Sequence, residues 1–243
     1  MKNSSLFISV AVALLATSCD SSKKPAAQSP SAEATVAAEK DIPLLPVTKG
    51  DTWNYKVHLE IPAGVSSPGA AEVDESFQRT RTYLGKVSAA NGLPEVDCFE
   101  VIVPGSPHER EFVEIRDDAI LMRGSMIMRP DTTQPMWLSH PVPFVVAGMK
   151  AGTESPDISA PSGSLTRKTR VVAREVIKVP AGEFPTIRLL MTGMDGELEL
   201  RRTTWFAPGT GIVREEKTRY RDGKVIFRET QELTATSIKP TKR

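Results

Sequence analysis

The chain has 243 residues, 25% of them charged, with 31 basic against 30 acidic side chains and a formal net charge of +1. That balance argues against nucleic acid as the main partner, because phosphate binding needs a clustered basic excess. The length suits one sizeable β domain or two small ones, and no apolar run reaches the roughly eighteen residues of a membrane-spanning helix.

The N-terminus reads as an export signal. Met1-Lys2-Asn3 gives a basic start, and Leu6 to Ala16 is an apolar run too short to span a bilayer. The run ends in Leu15-Ala16-Thr17-Ser18-Cys19. Small residues before a cysteine resemble the lipobox of bacterial lipoproteins, with Ala16 where leucine is commoner. The resemblance implies cleavage after residue 18, diacylglycerol on the Cys19 sulfur, and acylation of the new N-terminus. Several acyl chains would make anchoring effectively permanent. The alternative is an ordinary secretory signal cut near Ala16. Asp20 leaves the choice between inner and outer membrane open. Residues 19–45 are rich in Ser, Ala, Pro and Lys and read as a disordered tether, because they bury too little to offset ordering entropy.

The folded domain is expected over 46–238. Trp53, Tyr55, Val57, Leu59 and Ile61 alternate with polar residues, the period of a half-buried strand. Phe77 to Val87 and Val96 to Val103 read as strands around Asn91-Gly92, a strong hairpin signal. A two-residue loop there sets Lys86 opposite Asp97 and Val87 opposite Val96. Glu111 to Arg116 and Ala119 to Met128 flank Asp117-Asp118 as another hairpin. Four prolines make 129–143 irregular or edge structure, since proline cannot donate to a ladder. Phe144 to Ala147 is a short apolar run, and 153–164 reads as a loop. Strands are then expected over 165–179, 186–191, 197–206, 212–220 and 224–234.

No stretch carries a helical period over three turns. The expectation is an all-β, mainly antiparallel fold: a curved sheet or half-barrel of roughly ten strands. VTKGDTW near residue 50 echoes GMKAGTE near residue 150, and each would open one half of the sheet.

The stretch from Val179 to Glu216 would form the centre of that sheet. Pro208-Gly209 favours a type II turn, since proline presets one torsion and glycine accepts the positive one. A two-residue loop there places Arg202 opposite Glu215 and Arg201 opposite Glu216. The next hairpin, across Asp222-Gly223, leaves its register open. One choice sets Glu216 against Glu229 and Lys217 against Arg228; another sets Glu216 against Arg228 but leaves Glu215 beside Glu229. These last strands are polar on both faces, which fits a sheet that curves around a partly hydrated concave face.

Val179-Pro180-Ala181-Gly182, then Trp205-Phe206-Ala207-Pro208-Gly209-Thr210-Gly211, and Gly50-Asp51-Thr52-Trp53-Asn54-Tyr55 resemble recurring motifs of a family of exported bacterial β proteins classed as a domain of unknown function. The resemblance implies a curved antiparallel sheet, distantly similar to the half-barrels that carry lipoproteins across the periplasm. It implies no activity and no catalytic residues.

Chemical signatures are sparse. His58, His108 and His140 stand in no metal-ligand spacing, and there is no HExxH, CxxC or GxSxG. Gly209-Thr210-Gly211 lacks the third glycine and the following helix of a dinucleotide loop. Cys98, with Cys19 acylated, is a buried inert thiol or an intermolecular disulfide partner. Met122, Met126, Met128, Met136 and Met149, with His140 nearby, could hold Cu(I), although even spacing on a strand also makes one core or ligand-facing face. No acidic pair stands alone in apolar surroundings. No cofactor and no metal are expected. The reading is a lipid-anchored envelope protein with a non-catalytic domain for a lipid, small-molecule or protein ligand. A scaffold lipoprotein is the alternative, and an enzyme with an unrecognised site the third.

Overall fold

Strand β1 (Thr52–Ile61) sets the pattern for the whole molecule. Its alternation puts Trp53, Tyr55 and Val57 into the core, with the polar residues between them on the other face. In this computed structural model, described over residues 42–65, 67–89, 95–129, 134–155, 158–159 and 165–239, β1 stands at the middle of one sheet. The other strands are β2 (Val73–Val87), β3 (Val96–Ile102), β4 (Glu109–Ile115), β5 (Ala119–Ile127), β6 (Met136–Val146), β7 (Ile158–Ser159), β8 (Leu165–Val179), β9 (Gly182–Asp195), β10 (Leu198–Ala207), β11 (Gly211–Arg221) and β12 (Lys224–Thr236).

These twelve strands lie in the order β6-β5-β4-β3-β2-β1-β12-β11-β10-β9-β8-β7, each antiparallel to its neighbours. The sheet is curved and unclosed, and no described strand is bridged by a helix. The mainly antiparallel all-β expectation holds, with twelve strands where roughly ten were counted. The additions are β7, inside the stretch read as a loop, and β6, a longer strand than Phe144 to Ala147. Strand β6 lies at the sheet edge, where Pro141 and Pro143 leave no ladder bond unmade on an inner strand. Cys19 and the export signal lie outside the described residues, as does the Asn91-Gly92 turn. Leu44 and Leu45, within the stretch read as tether, are buried in the core.

The two halves of the sheet repeat one plan. Gly50 donates its N–H to the Tyr83 carbonyl, and Tyr83 donates back to Asp51. Gly152 and Val171 do the same, with Val171 donating to Thr153. Both glycines have positive φ, 95° and 88°. A bulge follows each anchor, between Tyr83 and Gly85 on β2 and between Val171 and Ala173 on β8. A further bulge falls opposite Phe112/Val113, with Arg123 the extra residue on β5, and opposite Trp205/Phe206, with Val213 the extra residue on β11. The echo near residues 50 and 150 thus marks equivalent places, with Gly50 matching Gly152.

Register is where the structure departs most from expectation. Lys86 faces Asp97 and Val87 faces Val96, as the sequence implies. The β10–β11 hairpin differs, and it lies to one side of the sheet centre, which is held by β1 and β12. Its loop has three residues, Pro208, Gly209 and Thr210, and a bulge follows at Trp205/Phe206. Arg202 therefore faces Lys217 and Arg201 faces Thr218, in place of Glu215 and Glu216. The turn itself is type II: Thr210 donates to the Ala207 carbonyl and Gly209 has φ 80°. In the last hairpin Asp222-Gly223 is the two-residue loop, but a bulge at Arg219/Tyr220 shifts the pairing by one residue. Lys217 then faces Glu229, which removes the like-charge pairings of both registers weighed from the sequence.

Candidate functional site

The three motif stretches meet at one end of the concave face. The Trp53 indole donates to the Thr210 carbonyl at 2.7 Å, and the Tyr55 hydroxyl donates to the Ile212 carbonyl at 3.0 Å. Gly209 donates to the Leu44 carbonyl. Gly211 has φ 105°, and a Cβ there would stand 3.2 Å from the Leu45 side chain and 3.4 Å from the Trp53 indole. Glycine is required at this position by both torsion and space. The Val179-Pro180-Ala181-Gly182 turn joins the same end, where Ala181 donates to the carbonyl of fully buried Leu233. Val179, Trp205 and Phe206 belong to the core beside it. Of the expected structural motif residues, Val179, Trp205, Gly209 and Gly211 are buried in this packed plug, Gly182 and Pro208 are half-buried and Pro180 is exposed, and none offers a reactive group.

Beyond the plug the same strands turn polar and enclose a cavity of about 540 Å³. Its wall carries seven basic side chains against three acidic ones, so an otherwise neutral chain has a positive interior. Most of these charges are cross-braced. Arg79 on β2 reaches over β1 to make two bonds to the Glu229 carboxylate, at 3.0 and 2.8 Å, and one to Gln231 at 2.7 Å. Lys217 lies 3.1 Å from both Glu215 and Glu229. Arg202 bonds Glu215, diagonally across the β10–β11 ladder. Thr204 and Gln231 complete the Glu215 shell. On the other wall Arg81 bonds Glu111 at 2.8 Å and lies 3.7 Å over the Phe99 ring.

The electrostatics follow from that bracing. Burial raises the Glu229 pKa, but the Arg79 and Lys217 contacts outweigh it and hold the carboxyl down to about 2. Burial likewise opposes ionisation of Glu215, 1% exposed, and Arg202 and Lys217 again prevail, lowering its pKa. Glu109 behaves differently. Burial and the neighbouring Glu111 push its carboxyl up, with Lys217 and Arg79 acting the other way. Burial also drives Arg167 below the usual guanidinium range; Arg202 and Arg219 add to the effect and Asp195 opposes it. The braced network was legible only as charge on the last strands, because its partners come from β2, β10, β11 and β12, as much as 152 residues apart.

The remaining sequence candidates do not gather. His58 is half exposed, near Glu60, Asp74 and Ser76. His108 is near Glu100, and His140 is exposed. Among the described residues no group of three or more His, Cys, Asp or Glu could hold a metal ion. Met122 and Met149 pack against the main core, while Met126 packs with Cys98, Phe112 and Trp137 in a second cluster. Bulges beside Met122 change the strand's parity, so even spacing does not leave Met122 and Met126 in one apolar cluster. Met136 is 68% exposed. Cys98 is buried, and burial pushes its thiol up.

No model of a known protein family matches the chain, and no curated protein does. Two solved structures are similar over 81% of this chain and 99% of theirs. One, from Bacteroides fragilis, is provisionally named an exported protein with a YmcC-like fold, at 13% identity and a TM-score of 0.48. The other, from Parabacteroides distasonis, is provisionally named a lipoprotein, at 12% identity and a TM-score of 0.41.

Proposed function

We propose that this is a lipid-anchored protein of the bacterial envelope that binds a ligand, without catalysis, in the cavity of its concave face. The cavity carries the proposal. Its volume lies in the range of small-molecule sites, roughly 300–1,000 Å³. Ion pairs that cross strands brace its wall, and Tyr55 and Ile212, hydrogen-bonded to each other at the packed end, also line it. Such a wall is preorganised, so a ligand would not bear the cost of ordering it.

Binding is favoured over turnover by the braced carboxylates, while Glu109 beside Glu111, pushed up by burial, is the acid a catalytic reading would have to use. Glu215 and Glu229 are each locked to two cations and stay ionised, which makes them poor proton donors near neutral pH. The lipobox-like run ending at Cys19 supports the anchor, with acyl chains in the membrane and the β domain facing the periplasm. Whether that membrane is inner or outer is left open.

Mass spectrometry of protein purified from its native host tests both parts. The expected result is an N-terminal Cys19 carrying acyl chains, together with a stoichiometric small molecule released on denaturation. An unmodified Cys19 would overturn the anchor. Repeated recovery of ligand-free protein, with no compound in a cell extract raising its melting temperature, would overturn the binding reading.

A further inference from the structure

Arg79 and Arg167 occupy the same place in the repeated plan. Each stands four residues before the residue that anchors the opening glycine of its half, Tyr83 or Val171. Each also faces the concave cavity. Their surroundings differ for a topological reason. Arg79 is on β2, and beyond β1 lies β12, which supplies Glu229 and Gln231. Arg167 is on β8, next to the two-residue β7, and there the sheet ends. Among the described residues no strand lies beyond β7 to bring a carboxylate to Arg167.

The result is a half-buried cation with no ion pair among the described residues, Asp195 acting on it only at longer range. Among the described residues the Arg167 Nε is shut off from solvent without a hydrogen-bond partner. Of the side chains in that condition it is the one on the cavity wall. Two cations, Arg202 and Arg219, act on it against the carboxylate of Asp195. Arg202 is occupied by Glu215, whereas Arg219 lies 5.2 Å over the Phe227 ring and makes no ion pair among the described residues. In the sheet, Arg167 faces Gly193, Gly193 faces Leu200, and Leu200 faces Arg219. The two arginines therefore flank an apolar step on one row of the concave face, with Met191 and Ile212 also on the wall.

We propose that this corner binds the carboxylate of an amphipathic organic acid. Arg167 and Arg219 would hold the acid group, and Met191, Leu200 and Ile212 would meet the apolar body. The protein's own template for the interaction is the two-bonded Arg79–Glu229 pair, so the ligand does for Arg167 what Glu229 does for Arg79. The proposal rests on the reading of the cavity as a binding site and narrows it to a chemical class.

The test uses the full chain in lipid nanodiscs, titrated calorimetrically with phenylacetate and with phenylacetamide. The two probes share shape and differ in charge. Phenylacetate is expected to bind roughly tenfold or more tightly than the amide, as a charge-assisted pair would give. Arg167→Gln is expected to abolish that preference, and Arg221→Gln, the same charge change at the exposed tip of the last hairpin, is expected to keep it. The melting temperature of R167Q should equal or exceed that of the parent, because the variant loses a half-buried charge that makes no ion pair among the described residues. Equal affinity for the two probes, absence of phenylacetate binding, or loss of preference in R221Q to the same degree would each overturn the proposal. A lower melting temperature in R167Q would also overturn it, by revealing an internal partner. An uncharged compound recovered from native protein would sink the carboxylate assignment while leaving the binding reading intact.

Discussion

The two halves of the sheet follow one plan and reach opposite electrostatic outcomes. In the first half Arg79 is satisfied three times, by both oxygens of Glu229 and by Gln231. In the second half the matching Arg167 has no such partner among the described residues, because β1 is followed by β12 whereas β7 is the last described strand on its side. The same residue type at the same place in a repeat is thus braced where the sheet continues and left without an ion pair, among the described residues, where it stops. An open sheet with two unlike ends can brace its wall with one copy of a motif and present the other.

Removing each arginine in turn should break that contrast most sharply. Arg79→Gln leaves Glu229 buried with Lys217 alone, and should cost about 3 kcal/mol in urea unfolding, the scale of a broken buried pair. Arg167→Gln should equal or exceed the parent in stability, in line with a substitution that breaks no ion pair among the described residues. Equal losses in the two variants would dissolve the distinction.

Acid titration sharpens the same point. The folded-state pKa of Glu229 is depressed to about 2, so its contribution is present above the ordinary carboxylate range and is lost as pH falls through about 2. Glu215 is lowered as well and acts in the same direction. The parent should lose stability progressively over that acid limb in pH-dependent melting. R79Q should flatten the limb, and R167Q should leave it unchanged.

The glycines give the smaller effects. Gly211→Ala meets both a positive φ and the Leu45–Trp53 contact, and should cost about 1–3 kcal/mol by denaturant unfolding. Gly50→Ala and Gly152→Ala have positive φ but open space around the new methyl, and should each cost about 1 kcal/mol. A large difference between these two would weaken their equivalence in the repeat.

Local chemistry was readable in advance where one segment's own pattern decided the outcome. The period-two run from Trp53, the Lys86–Asp97 pairing and the type II turn at Pro208-Gly209 all belong to that class. The pairings of Arg202 and Lys217 were not readable. Each depends on a bulge, at Trp205/Phe206 or at Arg219/Tyr220, and one inserted residue changes every partner beyond it. The contact between Arg202 and Glu215 survives as a diagonal pair, since the register moved by two and kept both side chains on one face. The parity change beside Met122 had the reverse effect, dividing methionines that their spacing had grouped. The cavity was visible beforehand only as strands polar on both faces.

By itself the sequence determined an antiparallel β body, the glycine and proline positions of its turns, and the strand faces that bury Trp53, Tyr55 and Val57. Alternation, turn torsions and hydrophobic burial act within a few residues, so they leave their mark in the order of side chains. The tertiary structure alone decided which charges became partners and that Arg167, among the described residues, was left without an ion pair. That outcome depends on strand order and on where the sheet ends, and Arg79 meets Glu229 across 150 residues of chain.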